Sequence, residues 1–289
     1  MKEYTVLIVD LKQSRLYSVD DRTSIQNYIL EVIRELNTIF VHKIVRKVEF
    51  SAGDEMQGLF LSPAAAYLYL RLLNMLLFPV EIRAGIGIGE WGVKIKGAST
   101  TAQDGLAYHN ARYAIDEVKD TVGDLLLFYS GNENDILVNG MVEAAFMMTK
   151  RHSEYQNKLM LLSELLYPID MNEIIDSTKM DLLFQLAMHK ERVDYYICAK
   201  KKGSVKRYPL GELAYQNLQI QPIPALDDDS TFYIKNGRKR GLAVQLSDML
   251  GVSRQSIEKN LKSANVYAAR NATIVVLKLI DKYFMKGKK

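Results

Sequence analysis

The sequence predicts an α+β protein: a ferredoxin-like β-α-β-β-α-β sheet domain, a mostly helical region, and a C-terminal helix-turn-helix. Three observations predict it. The first 130 or so residues alternate short β-branched runs with segments of helical apolar spacing. A Gly-Asp turn splits two of those runs. Positive charge gathers at the far end: residues 231–289 carry 13 lysines and arginines against 3 acids, a net of +10, while the rest carries 25 against 31, a net of −6.

Taken in order, Tyr4 to Val9 reads YTVLIV, a strand buried on both faces, and it stops at Asp10 before the polar Lys12-Gln13-Ser14-Arg15. Arg22 to Val41 has apolar residues at three- and four-residue spacing, with Asp20 or Asp21 as N-cap. Val48 to Ala52 and Met56 to Leu61 are strands flanking Gly53-Asp54-Glu55. A strand-helix-strand crossover makes the first two strands parallel, and the hairpin returns the third between them. Asp10, at the end of strand one, then meets Asp54, at the hairpin tip. Two carboxylates brought together repel unless a cation joins them, and oxygen ligands favour Mg or Mn with substrate phosphates completing the shell. Alternatively, one aspartate caps a helix and the other fills a turn. Adjacent strand residues alternate in face, so Glu55, a weaker candidate for ligand binding, either supports the site or faces solvent. Ser14 and Arg15, just past the strand, either hold phosphate oxygens or belong to a solvated loop.

The pattern continues with a helix from Pro63 to Leu77, a strand from Val80 to Ile88, a helix from Gly105 to Val118 and a strand from Leu125 to Tyr129. Asp104 either starts that helix or reads substrate. Arg112 either binds phosphate or pairs with Asp116 one turn on. Further helices are expected over Met141 to Leu166 and Thr178 to His189. The second is a candidate for the helix that precedes the reader, and a hairpin from Val193 to Tyr208 turns near Gly203. The prolines and acids from Gln221 to Asp229 mark a linker. Domains are therefore expected at 1–135 (sheet), 136–230 (helical connector with the hairpin) and 231–289 (basic reader).

In the reader, Gln245 to Leu261 places Ser247 where two helices approach, Gly251 in the turn and Ser253 as cap of the second helix. Leu246, Leu250, Val252, Ile257 and Leu261 form the seam. Arg254, Gln255, Ser256, Lys259 and Lys262 remain exposed as donors to bases and phosphates, with Arg238-Lys239-Arg240 as a further phosphate contact. The alternative is a plain helical hairpin. A last helix, Ala272 to Met285, closes the small domain or pairs with a second copy.

VLIVDLKQSR, SAGDEMQGLF, IRAGIGIGEW and DGLAYHNARYAI, in that order and spacing, resemble the SatD family of bacterial proteins. SatD-like domains are in turn similar to the palm of class III nucleotidyl cyclases. That resemblance implies metal ligands at Asp10 and Asp54, ligand contacts near Gly53, a catalytic arginine at Arg112, and a homodimer that completes its sites across a two-fold axis. Phe50 stands where cyclases carry a base-reading lysine, and Tyr108 stands where they carry an asparagine, with Asn110 two residues from the arginine. The resemblance therefore implies binding of a nucleotide or phosphorylated small molecule more than its turnover. The expectation is a regulator that binds double-stranded DNA. Its rival is a metal-dependent nucleotidyl cyclase or nucleotide-condensing transferase.

Composition bounds the rest. A single cysteine, Cys198, excludes an internal disulfide, and charges interrupt every long apolar stretch well before membrane-spanning length. The start of the chain has no signal-peptide pattern, so a cytoplasmic protein is expected, without a membrane partner. The four histidines, His42, His109, His152 and His189, fall on separate elements and receive no chemistry.

Overall fold

A computed structural model describes residues 2–120, 125–192, 195, 219–227 and 233–285. It is a mixed α/β structure built on one five-stranded mixed sheet. Strands β1 (Glu3–Leu11), β2 (Ile44–Ala52), β3 (Glu55–Phe60), β4 (Ile82–Glu90) and β5 (Leu126–Tyr129) lie in the order β2-β3-β1-β4-β5. β1 is antiparallel to both of its neighbours, β2 is antiparallel to β3, and β5 is parallel to β4.

Helix α1 (Val19–Ile39) buries Ile25, Ile29, Val32, Ile33, Leu36 and Ile39. Its cap is Ser18, whose hydroxyl accepts from the Asp21 amide, and not Asp20 or Asp21. Helix α2 (Pro63–Leu77) begins on Ser62 with proline in its first turn, where a missing N–H costs nothing. Together they cover one face of the sheet, on Leu7, Val9, Met56, Phe60 and Ile86. Helix α3 (Leu106–Asp120) covers the other, on Val6, Ile8 and Leu59. The glycines of β4 allow its close approach: a Cβ at Gly87 would stand 2.0 Å from the Ala111 amide nitrogen, and one at Gly85 2.4 Å from that of Ile115. IRAGIGIGEW is thus a helix-packing stripe.

Beyond the sheet, the single helix expected over Met141 to Leu166 is two, α4 (Asp135–Met147) and α5 (Glu154–Leu166). A capping box between Ser153 and Gln156 starts the second. Helix α6 (Asp181–Arg192) packs on α1, whereas the helix that packs on the C-terminal pair Leu242–Leu250 and Arg254–Ser263 is α5. The expected linker is partly regular, since β7 (Ile223–Pro224) pairs in parallel with β6 (Ile169–Asp170), and Ala225 is buried. The expected hairpin from Val193 to Tyr208 falls almost wholly outside the described residues.

Helices α7 (Leu242–Leu250) and α8 (Arg254–Ser263) are joined through Gly251, at φ +61°. Ser253 caps α8, and the Ser247 hydroxyl donates to the Val252 carbonyl at 2.6 Å, tying the turn to α7. Leu246, Ile257 and Leu261 are buried, with Leu250 and Val252 half-buried beside them. The last helix, α9 (Val266–Ile280), starts before Ala272 and buries Ile274, Val276, Leu277 and Ile280 within the chain, against α4 and α2. Its apolar stripe is therefore not left for a second copy. No helix among the described residues is long and apolar enough to cross a membrane.

Candidate functional site

The β1-β3 register sets Asp10 opposite Glu55, and the β1-β4 register sets Asp10 opposite Arg83. Cross-strand partners share a face. That face belongs to α3, since Val6 and Ile8, four and two residues before Asp10, lie in its core. Arg83 Nε donates to Asp10 Oδ2 at 2.6 Å. From above, Arg112 on α3 grips Glu55 with both guanidinium nitrogens, each at 2.7 Å, and Lys119 stands 3.9 Å from the same carboxylate. Burial pushes the Glu55 carboxyl up, but Arg112, Ser51 and Lys119 outweigh it and hold the pKa below the usual value.

Asp54 sits in the turn beside this row. Its carboxylate accepts from the buried Ser14 hydroxyl, and Gly53, at φ +61°, is held to α1 by a 3.2 Å bond from Gln26 Nε2 to its carbonyl. Arg15 is exposed. The sheet edge thus collects Asp10, Ser14, Gly53, Asp54, Glu55, Arg83 and Arg112.

The structure bears on two residues that the sequence left open. Glu55 shares the face of Asp10. Arg112 pairs with Glu55 and not with Asp116, which contributes only its charge. Asp104 lies elsewhere. It pairs with Val93 past the far end of β4, caps the Gly105 amide at 2.7 Å and stands 3.3 Å from His109. Arg83 and Glu90 are seven residues apart on β4, about 24 Å at ~3.4 Å per residue, so Asp104 reads nothing bound at Asp10. Phe50 packs on the core; Tyr108 and Asn110 are buried, with Asn110 donating to the Ile88 carbonyl at 2.7 Å.

Sequence reasoning missed Arg83. The signal was present: a β-strand that alternates glycine with larger residues has one odd-position side chain at its start, and that position faces the end of β1.

No group of three or more His, Cys, Asp or Glu side chains among the described residues could hold a metal ion. Asp10 and Asp54 each have one oxygen hydrogen-bonded, to Arg83 and Ser14, and so offer an ion chiefly their two remaining oxygens. That number suits magnesium or manganese only when ligand phosphates supply the rest. The donor set therefore fits an ion that arrives with a phosphorylated ligand and does not fit one held by protein alone.

At the other end of the chain, α8 turns Ile257 and Leu261 inward and leaves Arg254, Gln255, Lys259 and Lys262 exposed. Arg254 is tied to Glu258, one turn on, at 2.8 Å. Ser256 is half-buried beneath the cap. Of the basic run, Arg238 lies over the Tyr267 ring and Lys239 over the Tyr167 ring, at 5.5 Å each, while Arg240 is exposed.

Between these regions lies a cluster the sequence did not reveal. Glu164 on α5 meets Arg71 of α2 at 2.7 Å and Arg270 of α9, and also accepts the Ile169 amide at 2.8 Å. Arg270 donates further to the Tyr167 carbonyl at 2.5 Å and the Gly237 carbonyl at 3.1 Å. Burial raises the Glu164 carboxyl pKa, but the two arginines outweigh it and hold the group ionised.

Comparison with known proteins adds a family. The model described as the SatD family matches residues 4–191. No curated protein matches. Among solved structures, that of a bacterial light-regulated adenylyl cyclase is 14% identical over 44% of this chain and 74% of that chain, with a TM-score of 0.31. A likeness that slight carries no argument about activity.

Proposed function

The chain belongs to the SatD family, and from that premise we propose that it is a cytoplasmic, homodimeric DNA-binding regulator. Its ferredoxin-like, cyclase-palm-type domain takes a nucleotide or phosphorylated small molecule at the Asp10 edge, and α7 and α8 form a helix-turn-helix that engages duplex DNA.

The observation that carries this reading is α8. Its inner face is buried and its outer face presents Arg254, Gln255, Lys259 and Lys262, in the part of the chain that holds the positive excess. A helix that reads bases is built in this way, fixed from behind and polar in front.

At the sheet edge the residues suit a ligand that carries negative charge. Arg83, Arg112 and Lys119 already neutralise Asp10 and Glu55, and Ser14, Arg15 and the open turn at Gly53 lie beside them. Magnesium or manganese would be held by Asp10 and Asp54 together with phosphate oxygens, and would supply charge neutralisation. Binding is favoured over turnover because Arg112 is spent on Glu55.

Two experiments test the reading. Selection from random duplexes should enrich a defined sequence, and no enrichment overturns the DNA assignment. Calorimetry with manganese and each nucleoside triphosphate should show binding that Asp54→Ala abolishes without unfolding. Mass analysis of the same mixtures should find no new nucleotide product. A product made by the wild type and lost in Asp10→Ala would make the protein an enzyme and overturn the binding-only palm.

A further inference from the structure

A cavity of about 170 Å³ lies between the sheet domain and the C-terminal helices. Its walls are mostly apolar, from Leu70 and Met75 of α2, Ile82 of β4, Val142 and Phe146 of α4, and Met160 of α5, with Lys12, Glu81 and Lys150 as further charged lining residues besides Arg71. It does not belong to the Asp10 site: Ile82 pairs with Leu11 and packs on the α2 face, whereas Asp10 and Arg83 lie on the α3 face. A dry cavity of about 150 Å³ is enough to hold a benzene-sized ring.

Two polar atoms on its lining side chains lack a partner, Arg71 Nη2 and His152 Nδ1, and only the first carries a positive charge. Arg71 lines the cavity with a side chain only 10% exposed; its Nη1 binds Glu164, and its buried Nη2 has no hydrogen-bond partner. The charge is also unbalanced. Glu164 is the one carboxylate set against both Arg71 and Arg270, so the buried cluster carries two positive charges against one negative among the described residues. A buried net charge is costly unless a counter-ion completes it. The orphaned donor and the missing negative charge coincide on Arg71, at the wall of a mostly apolar space.

We infer that this cavity is a binding site for a small monocarboxylate with an apolar body, its carboxylate on Arg71 Nη2 and its body against Val142, Phe146 and Met160. Asn74 and Asn157 also line the cavity; the Asn157 amide gives one hydrogen to the Met75 carbonyl at 3.1 Å and has a second for the other carboxylate oxygen. His152 lines it too, and its Nε2 bonds the carbonyl of Ala264, the residue that follows α8, at 2.7 Å. An occupant therefore bears on the support of α8. The site stands whether or not α8 reads DNA.

The test uses the full chain with benzoate as probe and benzyl alcohol as its uncharged counterpart. Benzoate should bind saturably and at least about tenfold more tightly than the alcohol, because a hydrogen bond to a charged acceptor is the stronger one. In crystals soaked with 4-bromobenzoate, the bromine anomalous peak should fall among Val142, Phe146 and Met160. Ala145→Phe, on the cavity wall, should fill the space and abolish binding while the circular dichroism spectrum is kept; if that variant does not fold, the bromine position alone decides. No saturable binding, equal affinity for acid and alcohol, unchanged binding in folded Ala145→Phe, or a bromine peak elsewhere overturns the site.

Discussion

Two charge clusters in this protein use the same side chains to different ends. At the sheet edge, Arg112 grips Glu55 and Arg83 grips Asp10, with the arginine side chains 46% and 27% exposed. At the junction of α2, α5 and α9, Arg71 and Arg270 grip Glu164, and Arg270 and Glu164 are each 1% exposed. Solvent decides what each cluster can do. Water reaches the arginines of the edge pairs, although Asp10 and Glu55 are only 10% and 14% exposed, so those pairs open to a ligand's phosphates at less cost than the junction does. The junction cannot open without leaving a charge stranded in the core, so it fixes how the C-terminal helices sit on the sheet domain.

Removing the junction carboxylate should break this contrast most visibly. Glu164→Ala strands two buried guanidinium groups and should cost about 3–5 kcal/mol in urea unfolding; a loss under about 1 kcal/mol would mean that the junction is no lock. The matching change at the edge, Glu55→Ala, should cost less than about 1 kcal/mol by the same measurement, because Arg112 reaches water when released. Arg83→Ala leaves the buried Asp10 carboxylate without its partner, so it should cost more stability than Glu55→Ala, and it should free that carboxylate for a cation. It should thereby tighten manganese binding in calorimetry and weaken triphosphate binding without metal. If both rise or both fall together, the edge is not a charge-exchange site.

The smallest expected effect concerns His152, between the cavity and α8. Burial lowers its pKa below the ordinary 6.5, against the opposing bond to the Ala264 carbonyl. The folded state therefore takes up its proton later than the unfolded chain. Its contribution to stability is whole above pH 6.5 and declines as pH falls from there to the lowered value. Urea midpoints across that window should fall for the wild type and flatten in His152→Gln.

The edge was far more legible in the sequence than the junction. Strand one announces itself as a β-branched run that ends in Asp10, and Gly53-Asp54 announces a two-residue turn, so the meeting of these residues follows from topology alone. The face of Glu55 stayed open because alternation was counted from Asp54. Asp54 belongs to the turn, and the strand's alternation begins at Glu55, directly opposite Asp10. The break between α4 and α5 was readable from the Ser153-x-x-Gln156 capping box, but an unbroken apolar spacing on both sides hid it. Arg71, Glu164 and Arg270 sit about a hundred residues apart on three helices, and nothing local marks a helical arginine as buried. Only the packing of α5 and α9 on α2 brings them together.

The central claim, that α8 reads duplex DNA, is tested most directly by fluorescence anisotropy. A selected duplex is titrated at two salt concentrations with the wild type, Arg254→Ala, Gln255→Ala and Lys262→Ala. Affinity of the wild type should fall steeply with salt as counterions are released. Lys262→Ala should weaken all sequences alike and lower the salt slope. Gln255→Ala, and Arg254→Ala once that side chain leaves Glu258, should each cost roughly 1–3 kcal/mol on the selected sequence and little on others. Binding that does not depend on salt, or that none of the three substitutions changes, would contradict the account and leave α7 and α8 as a helical hairpin that closes the core.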